Sequence, residues 1–240
     1  MAISTTQFDR FTIDQIPALP EPFRLLNKVP IHDNGEPLVD LRVENADLLF
    51  APKCLPYVRR SVSEMLRAAS EIVAPNHKIR VHTGLRSHKM QSDMYWGNYN
   101  RMKEEHPGWP TSTLRRMCNR FFAPPDAKAP PGHCTGGAVD VNLCLPDGSG
   151  LDHSSPLERW LGAPTAVHGL SDEAARNRRL LCFAMHSAGF SNCRDEFWHW
   201  SYGDSAWAVR MQQPIAVYGL IEPPEGAYAV PEPPEPELKG

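Results

Sequence analysis

Apolar residues recur at helical spacing in the first half of the chain, at Val58, Val62, Met65, Leu66, Ala69, Ile72 and Val73. This pattern predicts a helix that ends at Pro75, because proline lacks the N–H that the next turn requires. Residues 78–83 then read as a strand. Ser87 is placed to cap a second helix, which we expect to run to about Glu105 and to stop before Pro107.

Alternation with a period of two predicts a strand in the second half. Val139, Val141 and Leu143 share one face of it, and Ala138, Asp140 and Asn142 share the other. Asp140 therefore projects away from the core. Ser171 is expected to cap a third helix that Gly189 terminates, and residues 196–202 are expected to form another strand. The chain thus has a mixed α and β organisation.

Proline sets the two ends of the chain apart from its middle. Residues 1–37 are proline-rich and read as an irregular N-terminal arm, and residues 222–240, with six prolines, read as a Pro/Glu-rich tail. Residues 38–221 are left as one domain. A chain of 240 residues, of which 41% are hydrophobic, can bury one substantial core.

Charge and hydropathy narrow the class of partner. The formal net charge is −3, and no basic field indicates a nucleic-acid partner. No apolar run approaches the roughly 18 to 20 residues of a membrane span. The first residues lack the charged start and apolar stretch of a secretory signal. We therefore expect a cytoplasmic protein with no membrane partner, and we leave open whether it forms a homo-oligomer.

The six cysteines show no CxxC spacing, which argues against a thiolate zinc cluster. They are most simply small buried side chains in a reducing compartment. Cys134 is the one to watch, because it adjoins a candidate metal ligand, His133, and is a candidate for an additional ligand or an oxidation-sensitive neighbour.

Two short segments carry the candidate chemistry. The first contains His133 and Asp140, and the second contains Glu196 and His199. Two imidazoles and a carboxylate suit a catalytic zinc, which takes three protein ligands and keeps one position open. The glycine pair at 136–137 would let His133 fold back beside Asp140. Taken alone, the first segment is equally compatible with a surface aspartate beside a loop histidine.

The second segment strengthens the metal hypothesis. Glu196 and His199 are three residues apart, so a regular strand would turn them to opposite faces, whereas a turn or bulge would bring both to one site. The aromatic neighbours Phe197, Trp198 and Trp200 would exclude water and strengthen local electrostatics. The alternative is an aromatic strand with one satisfied core histidine.

Together these residues resemble the zinc D-alanyl-D-alanine dipeptidases of the VanX type. The family pattern S-x-H-x-x-G-x-A-x-D, followed by E-x-W-H, is matched by His133, Gly136, Ala138, Asp140, Glu196, Trp198 and His199. Residues 172–180 resemble the family's N-R-R-x-L helix, and residues 81–86 resemble its strand that ends in Y-R-P. The resemblance covers roughly residues 38–205.

The resemblance implies a role for each candidate residue. His133, Asp140 and His199 would hold Zn²⁺ with a water in the fourth position. Glu196 would serve as general base and then as general acid. Arg86, at the family's active-site arginine, would stabilise the oxyanion, a kind of donor whose loss typically lowers the rate about 100- to 1,000-fold.

Departures from the family pattern bear on the substrate. Pro131 replaces the serine that stands two residues before the first zinc histidine, and the N-terminal tyrosine of the family has no clear counterpart. Glu158 aligns with the family's acidic residue that receives the substrate ammonium, which makes it the candidate substrate-binding residue. A free amine in a closed site requires such a carboxylate, because an unpaired buried charge is costly. The alternative for Glu158 is a solvated carboxylate on a helix.

The resemblance further implies an α+β fold with a central, mostly antiparallel sheet flanked by helices, and a zinc site in a cleft on the sheet. Residues 38–221 would then be a zinc peptidase catalytic domain. We expect hydrolysis of a small dipeptide, with D-Ala-D-Ala or a related D-amino-acid dipeptide as first choice. One alternative is a carboxypeptidase or endopeptidase that acts on peptidoglycan-type or other peptides. Another is a non-catalytic zinc-containing binding module, against which the intact Glu196 argues.

Overall fold

A computed structural model describes residues 5–21, 23–154, 163–227 and 229–230. The strands are β1 Ala18–Leu19, β2 Leu38–Asp40, β3 Leu49–Phe50, β4 Tyr57–Arg59, β5 Lys78–Thr83, β6 Ala138–Cys144, β7 Ser191–Cys193 and β8 His199–Ser201. The α-helices are α1 Thr5–Arg10, α2 Phe23–Leu26, α3 Leu41–Glu44, α4 Arg60–Val73, α5 His88–Glu105, α6 Thr111–Cys118, α7 Asp172–Ser187 and α8 Ser205–Arg210. Two short 3₁₀ helices span Ile13–Gln15 and Gly132–Thr135.

The described strands form a six-stranded sheet in the order β1-β7-β8-β6-β5-β3. Its central strands pair antiparallel, whereas β1 and β3 join at the two edges in parallel with β7 and β5. A separate antiparallel pair consists of β2 and β4. The expected α+β fold with a mostly antiparallel central sheet and flanking helices is confirmed, and the parallel edges are an addition to it.

One face of the sheet carries the main core. Helices α4 and α7 pack on each other and on this face, through apolar side chains that include Leu66 and Leu181. The sheet contributes Val139 and Val141, both fully buried, as the period-two pattern predicts. Asp140 lies between them in sequence and therefore faces the other side of the sheet. That opposite side is left for the functional site.

The helix ends follow local capping chemistry. The Ser87 hydroxyl accepts a hydrogen bond from the Met90 N–H at 3.1 Å, and α5 begins at the next residue. The Ser171 hydroxyl accepts from the Ala174 N–H at 3.0 Å at the start of α7. Both caps were expected from the sequence. Val58 was wrongly included in the first helix: it lies in β4 and pairs with β2, because a β-branched residue packs well on a buried strand.

The last predicted strand is shorter than expected. A turn occupies residues 194–198, and β8 begins only at His199 and ends at Ser201. The N–H of His199 donates to the carbonyl oxygen of Glu196 at 3.1 Å, which closes the turn before the strand starts. The prediction of a strand from residue 196 was therefore wrong, and the alternative of a turn at its entry is what the chain adopts.

The proline-rich ends take part in the folded structure. Ala18 and Leu19 form β1 at an edge of the main sheet, and α2 packs on α8. At the other end, Val230 exchanges two backbone hydrogen bonds with residues 53–54. None of the described helices combines the length and the apolarity needed to cross a membrane.

Candidate metal centre

His133 is presented by a short 3₁₀ turn that ends in a left-handed residue, Gly136 (φ 70°). A Cβ at this position would lie 2.7 Å from Leu38 Cδ2, so glycine suits both the conformation and the space. His133 Nδ1 lies 3.0 Å from the carbonyl oxygen of Gly84. A carbonyl can only accept, so Nδ1 carries the proton and Nε2 is free for another partner. Nε2 lies 3.2 Å from Asp140 Oδ1.

Strand pairing brings the other two candidate ligands together. Asp140 of β6 stands directly opposite His199 of β8 in the antiparallel register. His199 Nδ1 lies 2.9 Å from the same Asp140 oxygen that His133 approaches. The two imidazole rings meet edge to face, with centroids 4.9 Å apart. One carboxylate oxygen is thus shared by two ring nitrogens on the sheet face opposite the core.

The three side chains offer a donor set that fits a metal ion. One ligand atom from each of His133, Asp140 and His199 lies within 4.8 Å of the others. Two imidazole nitrogens and one carboxylate oxygen are the set found in catalytic zinc sites, and they also accept other divalent ions. The structure therefore brings together the three residues that the sequence analysis named as candidate ligands.

The carboxyl of Asp140 and the imidazoles of the two histidines shift one another's pKa. Burial opposes the Asp140 charge, but His133 and His199 outweigh it and hold the pKa of this carboxyl well below its usual range. Burial likewise opposes a charge on His199, yet Asp140 and the Glu21 carboxylate raise the pKa of His199 to about 9. Burial lowers the pKa of His133. A metal ion must therefore displace a proton from His199, which makes its affinity dependent on pH.

Glu196 enters the same cleft from the turn that precedes β8. Its main chain is held by the N–H of Glu196, which donates to the Cys193 carbonyl at 3.0 Å. Burial, followed by the carboxylates of Asp140 and Glu21, raises the pKa of Glu196 to about 7, against the opposing charges of His199 and Arg86. A carboxyl with a pKa near neutrality is well matched to both proton uptake and proton release.

Comparison with known proteins covers the part of the chain that holds this centre. Residues 112–218 match the family model described as Peptidase_M15, D-ala-D-ala dipeptidase. We call residues 112–218, which are similar to M15 peptidases, the M15 segment. The D-alanyl-D-alanine dipeptidase of Synechocystis sp. is 34% identical in an alignment of 111 positions that covers 39% of this chain and 45% of that protein. The chain thus matches less than half of the length of that curated relative.

Two solved structures give low TM-scores with this chain. A vancomycin-resistance D,D-pentapeptidase, VanY, in complex with Zn(II) has a TM-score of 0.40 and 16% identity, over 67% of this chain and 82% of that chain. The LD-carboxypeptidase LdcB has a TM-score of 0.41 and 18% identity, over 77% of each chain.

The M15 segment contains the three candidate ligands and Glu196, whereas Arg86 lies upstream of it. Arg86 follows β5, and its N–H donates to the His133 carbonyl oxygen at 3.0 Å. Its guanidinium donates from Nη1 to Gln91 Oε1 at 2.7 Å, which fixes the side chain along the wall of the cleft. The fold therefore brings Arg86, which lies outside the M15 segment, to the cleft of the candidate metal centre.

The cleft over the centre has a volume of about 900 Å³. The three candidate ligands, Glu196 and Arg86 line it, together with Gln91, Met94, Phe121 and Phe122 from α5 and the segment after α6. Helices α5 and α6 share a small core of their own, separate from the main one, which consists of Tyr95, Met102, Leu114 and Cys118. A helical wall therefore faces the sheet across the candidate metal centre. This wall was not predicted from the sequence.

Three other sequence predictions have different outcomes. Glu158 lies outside the described residues. Cys134 is fully buried, burial raises the pKa of its thiol to about 12, and its sulfur is not among the converging ligand atoms. Pro131, which replaces the family's serine, and the adjacent Gly132 both line the cleft. A Cβ on Gly132 would lie 2.5 Å from Asp204 Oδ2, so the chain has no room for a side chain there.

Sequence reasoning missed Glu21. This residue of the proline-rich arm lines the cleft, and its Oε1 lies 3.5 Å from His199 Nε2. The same carboxylate pairs with the buried Arg210 of α8. No local motif in the arm indicates this role, because the partners of Glu21 lie more than 170 residues further along the chain.

Proposed function

We propose that this chain is a zinc-dependent peptidase that hydrolyses a small peptide, with D-Ala-D-Ala or a related D-amino-acid dipeptide as first choice. The observation that carries the proposal is the convergence of His133, Asp140 and His199 in one cleft with Glu196. The match of residues 112–218 to the M15 family model and the 34% identity of part of the chain to a D-alanyl-D-alanine dipeptidase support the choice of substrate class.

The residues of the chain divide the work of peptide hydrolysis among them. His133, Asp140 and His199 would hold Zn²⁺, which supplies Lewis acidity toward water and a carbonyl oxygen. Glu196 takes a proton from the attacking water, because its pKa near 7 lets it accept one at neutral pH. The same carboxyl then delivers the proton to the departing amine.

Arg86 has a separate task. Its guanidinium is always charged and is held at the cleft wall by Gln91. There it is suited to stabilise the negative charge that develops on the peptide oxygen as water attacks. Glu196 thus carries the proton from the water to the departing amine, and Arg86 stabilises the negative charge on the peptide oxygen.

A second candidate function is a carboxypeptidase or endopeptidase that acts on longer peptides. The size of the cleft favours it, since about 900 Å³ lies at the upper end of the roughly 300 to 1,000 Å³ of sites for drug-sized ligands. Two alanine residues would fill only part of such a cleft. Longer peptides with a free carboxyl end therefore belong in any test.

The test is release of free amino acids by the zinc-loaded protein from L,L, L,D and D,D dipeptides and from longer peptides. Glu196→Gln is the matched control, because it keeps the shape of the side chain and removes its capacity to carry the proton. We expect turnover of D,D dipeptides and a loss of about 100- to 10,000-fold in the variant. Cleavage of longer peptides alone would support the second candidate. Stoichiometric zinc without any cleavage would refute both and leave a binding module.

A further inference from the structure

We propose that Glu21 of the N-terminal arm is a positioning residue for the metal centre: it receives the Nε2–H of His199 and so keeps Nδ1 directed at the metal. The inference rests on the proposed metal site and concerns a residue outside the M15 segment. The juxtaposition is that of His199 Nε2 and Glu21 Oε1, which lie 3.5 Å apart in the lining of the cleft.

The two nitrogens of His199 face different partners. Nδ1 lies 2.9 Å from Asp140, on the side where the candidate ligands converge. Nε2, the other ring nitrogen, is fully buried and makes no hydrogen bond to any residue in the described part of the chain. A buried ring N–H without a partner is costly. Glu21 is the carboxylate placed to receive it, and a small approach of the two side chains completes the bond.

Glu21 is itself held in place by a buried cation. Its Oε1 contacts Nη2 of Arg210, whose side chain is only 1% exposed, whereas that of Glu21 is 23% exposed. Arg210 Nη1 donates to Ser201 Oγ at 3.0 Å and to Ser191 Oγ at 3.3 Å. Ser201 belongs to β8, the strand that carries His199, and Ser191 belongs to the neighbouring β7. The guanidinium is therefore fixed to both strands.

The arm is anchored on both sides of Glu21. Before it, β1 pairs in parallel with β7 at the edge of the main sheet. After it, α2 packs on α8 through Leu26 and Ala206. A residue between two anchors has little freedom to leave the site. The chain therefore forms a continuous path from Arg210 through Glu21 to His199, which ends at the candidate metal.

Such a path has a known physical effect. A metal-bound histidine that donates its second N–H to a carboxylate keeps one tautomer and one ring orientation, and loss of the carboxylate typically weakens metal binding about 10- to 100-fold. His133 has the equivalent support from the Gly84 carbonyl. Glu21 would give His199 the same support through a side chain.

The experiment measures Zn²⁺ affinity by competition with a chromogenic chelator. We compare the unaltered full-length protein with Glu21→Ala and Glu21→Gln. Alanine removes the acceptor, so we expect affinity to fall about 10- to 100-fold. Glutamine keeps an oxygen for both His199 and Arg210, so we expect a smaller loss and a normally folded protein.

The matched control is Asp40→Asn. Asp40 pairs with Arg42, and the two side chains are 22% and 21% exposed, so the change also removes a half-buried carboxylate beside an arginine. None of the hydrogen bonds or ion pairs among the described residues joins Asp40 to the candidate ligands, and zinc affinity should stay unchanged. An equal loss in Asp40→Asn would show a general effect of destabilisation and would overturn the inference.

A second readout is independent of affinity. Nitrogen NMR of the histidine rings in the zinc-loaded protein should show His199 protonated at Nε2, with that proton protected from exchange in the unaltered protein and exposed to exchange in Glu21→Ala. Zinc at Nε2, or unchanged affinity in both Glu21 variants, would overturn the inference alone. Failure of the unaltered protein to bind zinc would overturn the proposed function as well.

Discussion

The two histidines of the candidate centre are supported by different kinds of groups. His133 is oriented by a main-chain carbonyl, that of Gly84, at the end of a strand of the same sheet. His199 is oriented towards a side chain, Glu21, which comes from the N-terminal arm and depends on Arg210 for its own position. The main chain next to a paired strand has few alternative positions, whereas the position of the Glu21 side chain depends on further side chains.

This difference shows how the centre is divided between the main sheet and the N-terminal arm. Strand pairing aligns Asp140 with His199, and the main chain of Gly84, directly after β5, supports His133. The arm then places Glu21 beside Nε2 of His199. Changes to the sheet side should therefore affect folding and metal binding together, and changes to the arm side should affect metal binding more selectively.

The largest effect on zinc binding is expected at Asp140, the residue that contacts both histidines. Asp140 places one oxygen within 3.2 Å of His133 Nε2 and 2.9 Å of His199 Nδ1. Asp140→Ala removes a ligand and leaves two imidazoles facing each other, so we expect loss of stoichiometric zinc in metal analysis after dialysis. Asn142→Ala, two residues along on the same face of β6, is the control and should retain zinc. Stoichiometric zinc in Asp140→Ala would contradict this assignment.

The next effect separates chemistry from metal binding on the His133 side. Arg86 supports His133 through its backbone N–H, which a side-chain substitution leaves in place. Arg86→Ala should therefore lower kcat about 100- to 1,000-fold through loss of oxyanion stabilisation, with zinc content unchanged. Arg86→Lys keeps the charge without the forked donors and should recover only part of the rate. A parallel loss of zinc and activity in Arg86→Ala would assign the side chain a structural role instead.

Much of the sheet side could be predicted from the sequence because its signals are local. The period-two pattern put Asp140 opposite the core, and the three-residue spacing of Glu196 and His199 offered a turn as the alternative to the strand that was predicted from residue 196. The Ser87 and Ser171 caps also follow from short-range hydrogen bonding. Each of these features depends on neighbours within a few positions along the chain.

The arm side could not be predicted, for a physical reason. Glu21 gains its place only when β1 pairs with β7 and Arg210 is buried beneath it, and both contacts join distant parts of the chain. Prolines around Glu21 indicated an irregular segment and gave no sign of a partner. Val58 failed for a related reason, because its pairing with Val39 in β2 overrides its helical spacing.

A smaller effect is expected where main chain supports His133. A Cβ on Gly84 would lie 2.5 Å from the Leu55 carbonyl oxygen and 3.3 Å from that of Tyr57, and both belong to backbone. Gly84→Ala must shift this backbone, which we expect to lower the free energy of unfolding by about 1–3 kcal/mol and to weaken zinc binding as well. Urea denaturation and chelator competition measure the two effects. Gly150→Ala, where a Cβ would meet nothing within 4 Å, is the control.

The smallest effect tests whether stability and metal binding can be separated. Ser171 caps α7 on the core face of the sheet, far along the chain from any candidate ligand, so Ser171→Ala should lower the free energy of unfolding by about 1 kcal/mol and leave zinc affinity unchanged. Ser187→Ala, at the exposed last residue of the same helix, should change neither. If the Ser171 variant lost zinc affinity in proportion to stability, the centre would depend on global stability, and the selective effect expected on the Glu21 side would lose its basis.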